Sequence, residues 1–378
     1  MTKLLIVTTT ASTLKAFLLP YARHFSKMGW TVDSMANEAS DCLECKEIFD
    51  RCHDIPFSRN PFASGNFWKI NSKIRAVVAE GKYDIVHVHT PVAAFVTRLA
   101  LRKTRAPLFE TPYPKIVYTA HGFHFFQGGN PLKNAAFIAL ERLGGDWTDH
   151  IITINEEDFE AAQEYKISNP ARLSLMPGIG VDFNHYSPRN VKAAEIKKVH
   201  ADLALEKHDE LFFMAAEFIP RKRHKDAIRA LAATGRTNFH LAFAGSGPLE
   251  DPMKQLASKL KVASRVHFLG ERADIPLLML SSRATVLPSS REGLSRSVME
   301  SISLGIPVLG ADARGIRDIV NSPERGRLFP VGNHAALAAA MILQVEDRPT
   351  VKPKPDPLWS IGHLLKEHET LYQKLLQA

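Results

Sequence analysis

Ala284-Thr-Val-Leu-Pro-Ser-Ser-Arg-Glu292-Gly-Leu-Ser-Arg-Ser-Val-Met-Glu300-Ser-Ile-Ser-Leu-Gly305-Ile-Pro307-Val-Leu-Gly310 is the stretch from which the fold can be read. Its first four residues are an apolar run of strand length. A loop follows and enters a helical segment that Gly305 and Pro307 end, immediately before a second apolar run. Strand, helix and strand in so short a span form a crossover, and a crossover imposes parallel pairing. Glu292 falls in the loop and Glu300 within the helix. The backbone N–H groups of Gly293, Leu294 and Ser295, expected to be unpaired at the helix start, would form an anion site.

The same alternation extends in both directions. Leu4–Val7, Val32–Met35, Ile85–His89, Val117–Ala120 and Ile151–Ile154 are short apolar runs separated by helical segments. The pattern pauses over Phe183–Arg189 and Lys192–Glu210, then restarts with Leu211–Ala215, His240–Ala244, Val266–Leu269, Ala284–Leu287 and Val308–Gly310. The expected class is α/β, with two Rossmann-like lobes, a hinge near Pro177–Pro188 and an active site between the lobes. The lobes are expected over 1–185 and 186–355. Proline-rich Pro349–Pro357 reads as an extended linker, and a terminal segment over 356–378 is expected to return to the first lobe as a helix.

The chain has 378 residues, room for two substantial cores, and 45% hydrophobic residues, which argues against disorder. Lys+Arg 48 against Asp+Glu 40 gives a formal net charge of +8, so the surface should attract phosphates, anionic membranes or nucleic acid, and charge alone does not say which. No apolar stretch reaches the roughly 20 residues of a membrane-spanning helix. Met1-Thr2-Lys3 leads straight into Leu4–Val7 with no signal-peptide pattern, so a cytoplasmic protein is expected. Cys42, Cys45 and Cys52 read as reduced thiols sharing one face of a helix over Leu43–Arg51. No Gly-Lys-Ser/Thr occurs, and Gly245-Ser-Gly247-Pro-Leu-Glu250 lacks the third glycine of a dinucleotide fingerprint. The chain has no nucleic-acid module, so nucleic acid is not expected as a partner.

The Glu292-x7-Glu300 string resembles the Glu-x7-Glu motif of the family-4 glycosyltransferases. Tyr83–Pro91, Ala120-His121-Gly122, Gly180-Val-Asp182, Ala244–Pro248, Phe268-Leu-Gly270 and the terminal helix follow in the order that family shows. The resemblance implies the GT-B fold and a metal-independent, retaining transfer from a nucleotide sugar. It also implies roles for particular residues: Glu292 accepts from sugar hydroxyls and Glu300 from a ribose. Lys222 takes the place of the family's phosphate-binding lysine, and His121 that of a first-lobe histidine touching the donor. Catalytic residues on this reading are Glu292, Lys222 and His121. Donor-binding residues are Glu300, Gly293, Leu294, Ser295, Arg221, Gly270 and Arg272, the last bordering the base. Glu217 stands where the family commonly has arginine, and Arg221 or Arg223 could supply the missing phosphate contact.

Other clusters carry plainer expectations. His87 and His89 point to one strand face, but no carboxylate or cysteine nearby in sequence completes a metal site. Asp-x-Asp, the usual metal-chelating motif of the other large glycosyltransferase fold, is absent, and no metal cofactor is expected. Arg98, Arg102, Lys103 and Arg105 crowd one helix end, where the carbonyl terminus favours cations and is reason enough for them. Together with Lys69, Lys73 and Arg75 they are also expected to meet anionic headgroups at the inner face of the cell membrane. The function expected is transfer from a UDP-sugar, such as a UDP-N-acetylhexosamine, to a lipid-linked glycan in capsule, exopolysaccharide or O-antigen synthesis. A sugar-nucleotide epimerase or binding protein of the same fold is the alternative.

Overall fold

In a computed structural model, residues 1–57, 67–102, 114–347 and 351–377 are described. They form two compact units, one of residues 1–179 with the C-terminal segment from Ile361, the other Gly180–Ser360. The sequence had placed these breaks at 185/186 and 355/356. Among the described residues no helix is long and apolar enough to cross a membrane.

The first unit is built on β1 (Lys3–Thr10), β2 (Thr31–Asn37), β3 (Cys52–Asp54), β4 (Ile85–His89), β5 (Lys115–Ala120), β6 (His150–Thr153) and β7 (Leu173–Leu175). They pair in parallel in the order β3-β2-β1-β4-β5-β6-β7. Side chains alternate across the sheet, so β1 feeds two cores. Leu5 and Val7 join Val86, Val88 and Ile74 on one face, while Leu4 and Ile6 join Phe25, Leu364 and Tyr372 on the other. The C-terminal helix Ile361–Gln377 therefore belongs to this unit. Leu364, Leu371 and Tyr372 repeat at seven and eight residues, which aligns them on one helix face, and the Tyr372 ring packs 5.0 Å from that of Phe25.

Two expectations fail here. Arg98, read as a membrane-facing cation, is fully buried on the helix Pro91–Ala100. Its Nη2 lies 3.0 Å from Glu141 Oε2, its guanidinium 4.1 Å from the centre of the Tyr118 ring, and Tyr118 donates to Glu141 Oε1 at 3.2 Å. A desolvated cation needs a partner, and Glu141 and Tyr118 supply it inside the unit. Lys103 and Arg105 lie outside the described residues, while Lys69 and Lys73 are exposed. Nor do the cysteines share a helix face: the helix is only Leu43–Lys46, and Cys52 is on β3. Cys42 and Cys45 form a disulfide, their Cα atoms 5.2 Å apart, a separation that one helical turn provides and a disulfide spans.

The second unit comprises β8 (Glu210–Ala215), β9 (Phe239–Ala244), β10 (Val266–Phe268), β11 (Ala284–Leu287), β12 (Val308–Ala311) and β13 (Gly326–Phe329). These also pair in parallel, ordered β10-β9-β8-β11-β12-β13. Strand order reverses between β8 and β11, and ligands of open α/β sheets bind beyond the carboxyl ends of strands at such a switch point. Helix Arg296–Ser303 ends as the sequence indicated, with Gly305 in the left-handed region at φ +74°. The strap before the C-terminal helix is tied to this unit where Val181 donates to the Trp359 carbonyl at 2.8 Å.

Candidate functional site

The loops after β8 and β11 carry the cations and carboxylate singled out in the sequence, and the switch point brings them together. A single 3-10 turn, Pro220–Lys222, follows β8, and Arg223 at φ +55° turns the chain into the helix His224–Ala233. Ser290 N–H donates to the Arg221 carbonyl at 3.0 Å, and Arg221 Nη1 donates to the Arg291 carbonyl at 3.0 Å, stapling the two loops. The side chains then converge. Lys222 Nζ lies 2.7 Å from Glu292 Oε1, and Arg221 Nη1 lies 2.8 Å from Oε2.

Glu292 is only 8% exposed. Burial by itself would raise its pKa, but the charges of Lys222 and then Arg221 outweigh burial and hold the carboxyl below its ordinary range. The result is an ionised acid bridging two cations, a strong charge-assisted pairing. Arg223 takes no part, since its Nε is 2.5 Å from Asp226 Oδ2. Glu217 is exposed.

The loop after β12 closes the far side. Glu292 N–H donates to the Arg314 carbonyl at 3.1 Å, and Arg314 Nε donates to the Glu292 carbonyl at 3.2 Å. Gly315 has φ +73°, and a Cβ there would sit 2.2 Å from the Gly293 carbonyl oxygen, so only glycine allows the approach. Ser295 N–H donates to the Gly315 carbonyl at 3.0 Å. This corrects the anion-site expectation for Ser295: the neighbouring loop has already satisfied its amide. Gly293 and Leu294 remain beside the carboxylate on the same loop.

Glu300 is 6% exposed and accepts from Arg296 Nε at 2.7 Å, one turn back, and from the hydroxyl of Tyr186. Burial raises its pKa, against the opposing pull of Arg296 and Tyr186. Tyr186 was missed in the sequence, where Phe183–Arg189 carried no periodicity; the interleaving of Tyr186 with Asp182 and the Asn184-His185 turn gives no signal of a partner over a hundred residues away. Gly270, at φ +63°, and Arg272 follow β10. Arg272 is held by Asp274, with Nε 2.8 Å from Oδ1 and Nη2 2.6 Å from Oδ2.

His121 follows β5 in the first unit, with Nε2 3.0 Å from Nδ1 of His89. Burial is the main cause that lowers its pKa to about 4. His87, the other histidine of the supposed pair, is bonded to Tyr372 at 2.5 Å and to Thr119 at 2.7 Å. Among the described residues no three His, Cys, Asp or Glu side chains are grouped as metal ligands.

Two family models cover most of the chain. Residues 17–182 match Glycosyltransferase Family 4, and residues 195–354 match Glycosyl transferases group 1. The chain is 34% identical over 340 residues to glycosyltransferase EpsD of Bacillus subtilis (strain 168), spanning 89% of this chain and 85% of that protein. It is 25% identical over 272 residues, 71% of this chain and 67% of the relative, to an Escherichia coli UDP-Gal:alpha-D-GlcNAc-diphosphoundecaprenol alpha-1,3-galactosyltransferase. Among solved structures, a Rickettsia africae glycosyltransferase superposes with a TM-score of 0.77 at 16% identity, covering 99% of this chain and 98% of that one. Anabaena HepE in complex with UDP superposes at 0.74 with 19% identity, covering 100% and 98%. With two doubly wound parallel sheets, matches in both halves and a relative above 30% identity along most of its length, the chain belongs to the family-4 glycosyltransferases of GT-B fold.

Proposed function

We propose that the protein transfers a sugar from a UDP-sugar, such as a UDP-N-acetylhexosamine, to a lipid-linked glycan during capsule, exopolysaccharide or O-antigen synthesis, with retention and without a metal ion. The observation that carries this is the Lys222–Glu292–Arg221 bridge at the switch point of the second unit. A nucleoside diphosphate leaves with more negative charge than it carries in the donor, and preorganised cations lower the barrier where that charge develops. Lys222 and Arg221 supply the cations, so Arg221 replaces the arginine whose place Glu217 takes. Glu292 accepts hydrogen bonds from the sugar hydroxyls, Glu300 from the ribose, and Gly293 and Leu294 lie along the diphosphate. Gly270 and Arg272 border the base, and His121 of the first unit acts at the donor. In a same-face transfer the departing phosphate oxygen takes the acceptor proton, so no protein nucleophile is assigned.

The acceptor's lipid implies attachment at the inner face of the cell membrane, with exposed Lys69 and Lys73 meeting anionic headgroups. The galactosyltransferase relative, named for a diphosphoundecaprenol acceptor, supports this choice. The test is incubation of UDP-sugars with polyprenyl-diphosphate-linked glycans in excess chelator. Acceptor-dependent release of UDP with an axial product linkage from an axial donor is expected. Epimer formation from donor alone, or donor binding without turnover, overturns the reading in favour of an epimerase or a binding protein. Activity that chelator abolishes and magnesium or manganese restores overturns metal independence.

A further inference from the structure

The first unit has two histidines in direct nitrogen-to-nitrogen contact at the carboxyl ends of neighbouring strands. His89 closes β4 and is 3% exposed; His121 follows β5. Nδ1 of His89 lies 3.0 Å from Nε2 of His121, and the rings stack at 5.2 Å with an interplanar angle of 28°. The His89 ring is braced from behind by that of His87, 4.0 Å away, which Tyr372 and Thr119 hold in turn. His89 Nε2 is buried with no hydrogen-bond partner. Among the described residues, the one side-chain hydrogen bond that orients this ring is therefore that to His121.

We propose that His89 is the positioning residue of His121: their hydrogen bond fixes the His121 ring and couples its tautomer to that of His89, leaving Nδ1 of His121 as the nitrogen offered to a ligand. The coupling follows from counting protons. Burial keeps both imidazoles neutral, so each ring carries one N–H. A hydrogen bond needs one proton between the facing nitrogens. If His89 carries its proton on Nδ1, then His121 must accept on Nε2 and carry its own on Nδ1. If His121 donates from Nε2, then His89 is protonated on Nε2. Like nitrogens are protonated in both cases, while a mixed pair sets two lone pairs or two N–H groups face to face.

The effect on turnover rests on the reading that His121 acts at the donor; the coupling itself does not. The test is nitrogen-15 NMR of the imidazoles in the full chain at neutral pH, with kinetics, for the wild type, His89→Leu and His89→Asn. Asn can place an amide near the position of Nδ1, so it restores a partner for His121 where Leu cannot. Like nitrogens protonated in the wild type, a changed His121 tautomer population in His89→Leu and its recovery in His89→Asn are expected. With them, kcat should fall about tenfold in His89→Leu and recover in part in His89→Asn, at unchanged melting temperature for the latter. Mixed tautomers in the wild type, or His121 signals indifferent to His89→Leu, overturn the coupling. Shifted signals with unchanged kcat overturn instead the place of His121 in the reaction.

Discussion

Lys222 and Glu292 meet at 2.7 Å although seventy residues separate them, because β8 and β11 are neighbours in the sheet and each residue stands in the loop just past its strand. The carboxylate thus occupies the two cations that the proposed mechanism gives to a diphosphate. Glu292→Gln removes the negative charge and leaves Lys222 and Arg221 for phosphate oxygens. UDP affinity should hold or rise while transfer falls, since a hydrogen bond to a charged group contributes about 1.5–3 kcal/mol, or roughly ten- to a hundredfold. Titration calorimetry with UDP and initial rates decide it; weaker UDP binding at unchanged kcat would contradict the assignment.

Lys222→Ala tests the other end of the same bridge. If Lys222 chiefly neutralises charge that builds as the diphosphate departs, kcat falls more than donor affinity. Arg221 stays on Glu292, so the loops should remain stapled and the melting temperature nearly unchanged. A raised KM with full kcat would make Lys222 a ground-state clamp alone.

Both sheets and the loop positions of Glu292 and Lys222 were legible because buried parallel strands are continuous apolar runs. Edge strand β10 was legible too, but β3, β7 and β13 were not: Cys52–Asp54, Leu173–Leu175 and Gly326–Phe329 are three or four residues long and each is interrupted by a polar residue. Side-chain partners were legible only where they are close in sequence or fixed by a motif. Arg98 read as one of several cations at a helix end because Glu141 and Tyr118, which neutralise and cover it, come from other elements. The Tyr186–Glu300 bond and the Gly315–Ser295 contact are likewise products of tertiary structure, invisible to spacing.

Glu300→Gln should weaken binding of UDP and of uridine alike, because the residue is assigned to the ribose. Inorganic pyrophosphate, which has no ribose, should bind as before. Competition against a labelled UDP-sugar measures all three, and an equal loss for pyrophosphate would move Glu300 to the phosphates.

Arg98→Met leaves Glu141, 7% exposed, as an uncompensated buried acid, and should destabilise the first unit by about 3–5 kcal/mol in urea unfolding. Lys73→Met, on an exposed side chain, should change stability by no more than about 0.5 kcal/mol. Arg98→Met with Glu141→Leu should recover part of the loss, because the unpaired charge is gone. Equal, small effects of the two single substitutions would show that the Arg98–Glu141 pair is not what stabilises the helix Pro91–Ala100.

Acid should destabilise the protein well before its carboxylates titrate. Burial is the first cause that lowers His150 and His368 to about 4, and it holds His87 and His89 well below their ordinary value. His224 and His267 of the second unit are lowered to about 4 by the same cause, so both units respond. The unfolded chain takes up these protons near pH 6.5, whereas the folded chain resists them until about pH 4. Between those limits unfolding binds protons, so the histidine contribution is fully present above pH 6.5 and is lost as pH falls towards 4. Each such histidine contributes a slope of up to about 1.4 kcal/mol per pH unit. Urea midpoints should therefore fall steeply from about pH 6 to 5, where ordinary Asp and Glu are still ionised. His368→Gln should flatten the dependence. A midpoint constant from pH 7 to 5 would mean that these histidines are protonated in the folded chain, and that burial does not lower their pKa values.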